Sequence, residues 1–265
     1  MAIRRPDGDR TALRAADCAL FLDFDGTLVE IAERPEAVRV APDLGATLAR
    51  LGERLGGALA LVSGRAIAVL DGFLAPHRFD AAGLHGIERR VAGRLFPCRP
   101  EEHPALRASV ASLSGDLRSM PGVLIEDKGC SVAVHWRMAP EHAGEAERVA
   151  RDLAARLGPG YRLQFGKAVA EILPARSGKG AAILSFLSEA PYAGRRPVFI
   201  GDDLTDEHGF AAVNARGGVS VRIGPGPTEA GFRLASPAEL RKHLTAWADA
   251  GMIALASASP ATPGG

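Results

Sequence analysis

The sequence predicts an α/β protein in which a parallel sheet flanked by helices is interrupted by a smaller α+β insert. Three observations carry this. Short apolar runs alternate with stretches of helical periodicity at both ends of the chain, the pattern of a parallel sheet wound with helices. The runs at 20–22 and 197–200 hold no polar residue, as expected of strands buried on both faces. Between the two ends, residues 105–173 read as a helix and a hairpin, twice over.

The first strand follows Cys18-Ala19 and ends in Asp23, Phe24, Asp25, Gly26, Thr27 and Leu28. While the chain stays extended, Asp23 and Asp25 share a face. Two close carboxylates repel, and a cation between them is the natural remedy. A calcium-binding EF-hand loop is excluded, because glycine comes too early and Arg34 stands at the twelfth position. A polar loop over 30–42 leads to a helix over 43–55, with Leu44, Leu48, Leu51 and Leu55 at helical spacing and Gly56-Gly57 as its stop. A second buried strand over 58–62 ends in Ser63-Gly64-Arg65 and runs into a helix over 66–70. A hydroxyl and a glycine at a strand-to-helix turn suit phosphate oxygens, through backbone N–H groups. A third strand over 79–82 leads to Gly83-Leu84-His85-Gly86, where His85 stands as a ligand contact.

Pro97, Pro100 and Pro104 mark a change of character. A helix over 105–119, strands at 123–126 and 131–136, a helix over 141–157 and strands at 161–165 and 168–173 make an α+β module of lid-like size. The first pattern then resumes. Lys179 opens a helix over 179–189, where the helix dipole disfavours a cation unless it faces an anion. The full nucleotide-binding P-loop spacing is absent, since position 173 is leucine and Gly180 follows the lysine. The strand over 197–200 ends in Gly201-Asp202-Asp203-Leu204-Thr205-Asp206-Glu207, four acids in six residues. Capping a helix over 207–214 uses one or two of them; the remainder suits a hard cation such as Mg²⁺. A strand over 218–223 and a helix over 237–250 close the fold, and 256–265 reads as a disordered tail.

The whole chain has 265 residues, 47% apolar and 24% charged, which fits a globular core plus a smaller module. A net charge of +1 gives no electrostatic support for a nucleic-acid or membrane-surface partner. No apolar run approaches the roughly 18 residues of a membrane span, and no signal-peptide pattern is visible at the start. Cys18, Cys98 and Cys130, an odd and scattered trio, suggest reduced thiols and a cytoplasmic protein. Only four lysines occur, Lys128, Lys167, Lys179 and Lys242, so a compact point charge is expected to matter where lysine is kept.

Taken together these residues specify phosphoryl transfer to a carboxylate followed by hydrolysis. Asp23 is the expected nucleophile and Asp25 the general acid and base. Thr27, Ser63, Gly64 and Lys179 are expected to bind phosphate, with Lys179 neutralising its charge. Asp23, Asp25, Asp202 and Asp203 are the expected metal ligands. Asp23-Phe24-Asp25-Gly26-Thr27-Leu28, Ser63-Gly64-Arg65, Lys179 and Gly201–Glu207 resemble the four motifs of the haloacid-dehalogenase superfamily of phosphatases. More narrowly the chain is similar to trehalose-6-phosphate phosphatases. Gly83–Gly86, Glu126–Gly129 with Val134–Arg137, Gly166-Lys167 with Glu171, and the Thr205-Asp206-Glu207 ending carry that likeness. It spans about residues 18–235.

The resemblance implies a Rossmann-type parallel-sheet core (1–97 and 173–255) with an inserted cap (98–172), Mg²⁺ as cofactor and a sugar phosphate as the small-molecule partner of a monomer. By it, Glu126, Lys128 and Glu171 grip sugar hydroxyls, with Arg65, His85 and Lys167 assisting. The chain departs at Leu173, where members often carry a basic residue. Sucrose phosphate or mannosylglycerate phosphate as the substrate, and a silent sugar-phosphate sensor, are the alternative readings. The intact Asp23/Asp25 pair argues against the sensor.

Overall fold

The computed structural model describes residues 12–32, 37–116, 119–166, 168–255 and 259–260. In chain order these form β1 (Ala12–Arg14), β2 (Cys18–Leu22), α1 (Leu44–Arg54), β3 (Leu59–Val62), α2 (Ile67–Leu74), β4 (Asp80–Gly83), β5 (Glu88–Val91) and β6 (Arg94–Phe96). Next come α3 (Pro104–Asp116), β7 (Leu124–Asp127), β8 (Val132–His135), α4 (Ala143–Leu157), β9 (Tyr161–Gly166) and β10 (Val169–Pro174). The chain continues with α5 (Lys179–Phe186), β11 (Arg196–Gly201), α6 (Leu204–Asn214), β12 (Val219–Ile223), β13 (Phe232–Leu234), α7 (Pro237–Ala250), β14 (Met252–Ala254) and β15 (Ser259–Pro260). Two compact units result: Met1–Leu95 with Gly178–Gly265, and Phe96–Ser177.

The first unit is built on a sheet of order β15-β13-β12-β11-β2-β3-β4-β5-β6. Neighbours from β13 across to β4 run parallel. Every residue of β2 and β3 is buried, which is why both read as unbroken apolar runs. Leu20 and Leu22 pack on one face with Leu48, Leu51 and Trp247 of α1 and α7. Phe21 points to the other face and stacks on Tyr192, 5.6 Å between ring centroids. The Tyr192 hydroxyl shares its single proton between the Leu59 carbonyl at 3.0 Å and Asp80 at 2.8 Å, so the buried ring leaves no polar atom unpaired.

The second unit is an antiparallel sheet of order β7-β8-β10-β9. Val132, Val134, Ala170 and Ile172 share a core with Leu106 and Leu113 of α3 and Leu153 of α4. By strand alternation the residues between them face the other way.

Several expectations need correction. Cys98 and Cys130 are not reduced thiols: they form a disulfide, and Cys18 alone is free and buried. The pair stands 32 positions apart in sequence, but the connection from β6 to α3 runs past the β7–β8 turn and brings their Cα atoms to 6.1 Å. The end of the chain is not wholly tail. Ser259–Pro260 pairs antiparallel with Phe232 and Arg233 of β13, an edge position where proline is tolerated; residues 256–258 and 261–265 lie outside the described residues. Helix α6 starts at Leu204, not at 207, because Asp203 caps it. The β5–β6 hairpin was not foreseen. Its signal is the Ala92-Gly93 turn, with φ of +47° and +78°, the two left-handed residues that a tight hairpin requires.

Candidate active site

The strand order changes direction between β2 and β11, since β3 and β4 lie on one side of β2 while β11, β12 and β13 lie on the other. Open α/β sheets bind their ligands at such a point, beyond the carboxyl ends of the strands. Asp23 follows β2 and Asp202 follows β11 there. The Asp23 N–H donates to the Ile200 carbonyl at 2.9 Å, which locks the two strand ends together.

Around this junction the side chains converge. Lys179 Nζ stands 2.8 Å from Asp23 Oδ1 and 2.7 Å from Asp206 Oδ1, and all three residues are buried. Gly180 lets α5 approach α6 closely enough for this, since a Cβ there would stand 2.6 Å from the His208 carbonyl. The Thr27 hydroxyl lies 3.3 Å from Asp23 Oδ2 and 3.2 Å from Asp202 Oδ1, its single proton shared between the two carboxylates. Gly26 has φ +78°, and a Cβ there would collide with the Asp202 carboxylate. Only glycine meets both conditions.

Arg65 makes a bidentate contact with Asp25, Nε to Oδ2 at 2.6 Å and Nη2 to Oδ1 at 2.7 Å. Ser63 is buried, and its hydroxyl accepts from the Arg65 N–H at 3.1 Å. The His85 ring lies over Gly64, 2.8 Å from where a Cβ would stand. Leu84 and His85 both adopt left-handed backbone conformations, and the His85 carbonyl accepts from the Gly178 N–H at 2.7 Å. The glycine-flanked loop is thereby fastened next to the start of α5 and Lys179.

The carboxylates of Asp23, Asp202 and Asp206 have oxygens within 4.8 Å of one another. Burial pushes Asp23 up to about 8, against the pull of Lys179 and with repulsion from Asp202 and Asp203 adding to it. Burial, with the charges of Asp206 and Asp203, raises Asp202 to about 6. Burial also lifts Asp206 well above the usual carboxylate range. On Lys179 burial works the other way, yet the Asp206 and Asp23 charges outweigh it and hold the ammonium protonated. Three crowded carboxylates against one ammonium form a donor set that fits a hard divalent cation. Asp25 and Asp203, expected among the ligands, do not join this group. The Asp25 carboxylate is taken up by Arg65, and Asp203 caps α6 by accepting from the Thr205 and Asp206 N–H groups. A cavity of about 520 Å³ lined by Leu59, His77 and Asp80 opens at the amino ends of β3 and β4, and none of these groups lines it.

In the second unit, Glu126, Ala133, Glu171 and Gln164 are register partners across all four strands. Glu126, Glu171 and Gln164 make this row polar, with Ala133 among them, on the face turned away from Val132, Val134 and Ile172. Glu171 is buried and held by the Ser131 hydroxyl at 2.8 Å and by Lys128 Nζ at 3.3 Å. Lys128 also lies 3.9 Å from Glu126, which contacts His135 Nε2 at 3.0 Å. That hydrogen bond holds the Glu126 carboxyl below its usual range, although partial burial opposes it. Lys167 lies outside the described residues.

The family profile described as Trehalose-phosphatase matches residues 21–238. The chain belongs to the trehalose-phosphatase family. A Sinorhizobium fredii protein named "Probable trehalose-phosphate phosphatase" is 48% identical over 219 residues, covering 82% of each chain. The Escherichia coli trehalose-6-phosphate phosphatase is 44% identical over 222 residues, 83% of each. A solved structure titled as a trehalose-6-phosphate phosphatase related protein is 28% identical, with a TM-score of 0.69 over 88% of this chain and 97% of its own.

Three residues of this trehalose-phosphatase family member were given no individual site role by the sequence. Asp206 lies one helical turn beyond Asp202, and its Oδ2 accepts from the Asp202 and Asp203 N–H groups at 2.9 and 3.0 Å. The Asp-x-x-Asp spacing of a capping box was its signal. Ser131, just before β8, and His135, at its end, share a face with Ala133 opposite the buried Val132 and Val134, and two polar residues four apart on that face were the available cue. Among the described residues, no helix is long and apolar enough to cross a membrane.

Proposed function

We propose that this protein hydrolyses trehalose 6-phosphate to trehalose and inorganic phosphate through a phosphoaspartate. The observation that carries the reading is Asp23 held against Lys179 at 2.8 Å, beside Asp202 and Asp206, at the switch point of a chain of this family. An Asp23 oxygen attacks phosphorus, and the bond from phosphorus to the sugar oxygen breaks. Asp25 gives its proton to the leaving oxygen and then takes one from the water that hydrolyses the phosphoaspartate. The Arg65 fork fixes the orientation of the Asp25 carboxyl for both transfers. Lys179 neutralises charge on the transferring group. Mg²⁺ on Asp23, Asp202 and Asp206 would supply further charge stabilisation.

The polar row of the second unit supports a sugar contact. Carboxylates accept hydrogen bonds from vicinal hydroxyls, and charged hydrogen bonds contribute about 1.5–3 kcal/mol each. Glu126, Lys128 and Glu171 are assigned to the sugar, with Lys167, Arg65 and His85 assisting.

The test is phosphate release from a panel of sugar phosphates and p-nitrophenyl phosphate, with Mg²⁺ and with chelator. A strong, metal-dependent preference for trehalose 6-phosphate is expected. Equal rates on sucrose phosphate or on the aryl ester would remove the substrate assignment. Turnover that survives Asp23→Asn would remove the phosphoaspartate.

A further inference from the structure

We propose that Cys98–Cys130 is a thiol-responsive site that fastens the sugar-contacting turn of the second unit, and that its partner is a dithiol reductant. The proposal rests on the sugar reading of that unit. Lys128 and Ser131 both bond Glu171, through Nζ at 3.3 Å and Oγ at 2.8 Å. Cys130 stands between them, and its sulfur is tied to Cys98 in the connection ahead of α3. Apart from the disulfide, the turn is held by the Lys128 N–H to the Ser131 carbonyl at 3.0 Å, the Cys130 N–H to the Lys128 carbonyl at 3.0 Å and the Gly129 N–H to Asp127 at 2.9 Å, with Asp127 itself paired to Arg107 of α3. Gly129 has φ +81° and lies so close to the connection that a Cβ would stand 3.1 Å from Pro100 and 3.4 Å from the Cys98 sulfur. The disulfide is thus the covalent anchor of the short segment that sets where Lys128 and Ser131 hold Glu171.

The two cysteines differ in exposure. Cys130 is fully buried, whereas Cys98 is part-exposed, so an incoming thiolate reaches Cys98 Sγ. The S–S bond breaks, its electron pair goes to Cys130 Sγ, and that thiolate takes up a proton. Cys98 is left in a mixed disulfide. The reductant's second thiol attacks its own sulfur in that bond, releases Cys98 as a thiolate and leaves the reductant oxidised. The balance is one protein disulfide plus one dithiol giving two protein thiols plus one disulfide. Freed of its anchor, the turn samples more positions, and ordering Glu171 and Lys128 on the sugar becomes costlier.

The experiment compares the full chain, air-oxidised and after dithiothreitol, with trehalose 6-phosphate and with p-nitrophenyl phosphate. Thiols titrated after unfolding should rise from the single Cys18 to include Cys98 and Cys130. On reduction KM for trehalose 6-phosphate should rise about fivefold, a fraction of one charged hydrogen bond. Turnover of the aryl ester should stay unchanged, and reoxidation should restore KM. Cys98→Ser should behave as the reduced protein with or without dithiothreitol. An oxidised protein that prefers trehalose 6-phosphate but keeps its KM on reduction would overturn the clamp alone. Free Cys98 and Cys130 thiols in the oxidised protein, or a parallel loss on both substrates, would overturn it too. No preference for trehalose 6-phosphate in the oxidised protein would overturn the sugar reading beneath it.

Discussion

Arg65 and Asp25 meet in a fork, two parallel hydrogen bonds of 2.6 and 2.7 Å across 40 residues of sequence. The Arg65 guanidinium also lies over the Phe73 ring, 5.1 Å from its centroid, so the fork is braced from behind. Lysine cannot make the second bond or the stacking contact. Arg65→Lys should lower kcat about tenfold on both trehalose 6-phosphate and p-nitrophenyl phosphate, because general acid–base groups contribute about 10²–10⁴ and a loosened one keeps only part of that. Steady-state kinetics on both substrates checks this. A loss confined to the sugar substrate would place Arg65 with the sugar and not with Asp25.

Asp206 accepts from two backbone N–H groups and pairs with Lys179 while fully buried. Asp206→Ala leaves those donors unmet and Lys179 with Asp23 at 2.8 Å and Asp203 only at 4.0 Å. The expected loss is about 3–5 kcal/mol of folding stability, measured by urea unfolding. A loss below about 1 kcal/mol would show that water replaces the carboxylate.

Gly26→Ala should cost activity at least about tenfold while the protein still folds. The new Cβ needs the space of the Asp202 carboxylate in a backbone conformation that alanine resists, and small misplacements at a reacting centre are expensive. Kinetics together with circular dichroism separates a displaced carboxylate from an unfolded chain. Wild-type rates would mean that Asp202 does not need its present position.

The His135 bond to Glu126 sets a pH dependence. Because the Glu126 carboxyl is held below its usual range, its ionised form, and with it the proposed sugar contact, persists above the ordinary carboxylate value. They are lost only as pH falls through the depressed one. His135→Gln removes the first cause of that depression, so the acid-side rise in KM for trehalose 6-phosphate should begin at a higher pH. Coincident KM–pH profiles for the two proteins would sink this.

The core was legible in the sequence because burial on both faces writes an unbroken apolar run, and the acids that end β2 and β11 stand out against it. The division of labour among the acids was not legible. Asp202, Asp203 and Asp206 are alike by composition, and only the start of α6 at Leu204 turns Asp203 into a cap and Asp206 into the partner of Lys179. The second unit was readable as helices and hairpins. The Glu126–Glu171 alignment depends on register, which no single strand contains. The Cys98–Cys130 bond was hidden because cysteine spacing carries no information on which loops pass one another.

The pairing of β2 with β11 also dictates the order of assembly during synthesis. Thr27 and Asp202, which bond across that junction, are 175 residues apart. A ribosome adding roughly 5–20 residues per second needs on the order of ten seconds or more to span that interval. Until residues 196–201 emerge, β2 has β3 on one side and an open, wholly apolar edge on the other, the kind of strand that recruits unwanted neighbours. The nascent chain must keep that edge covered while the entire second unit is made.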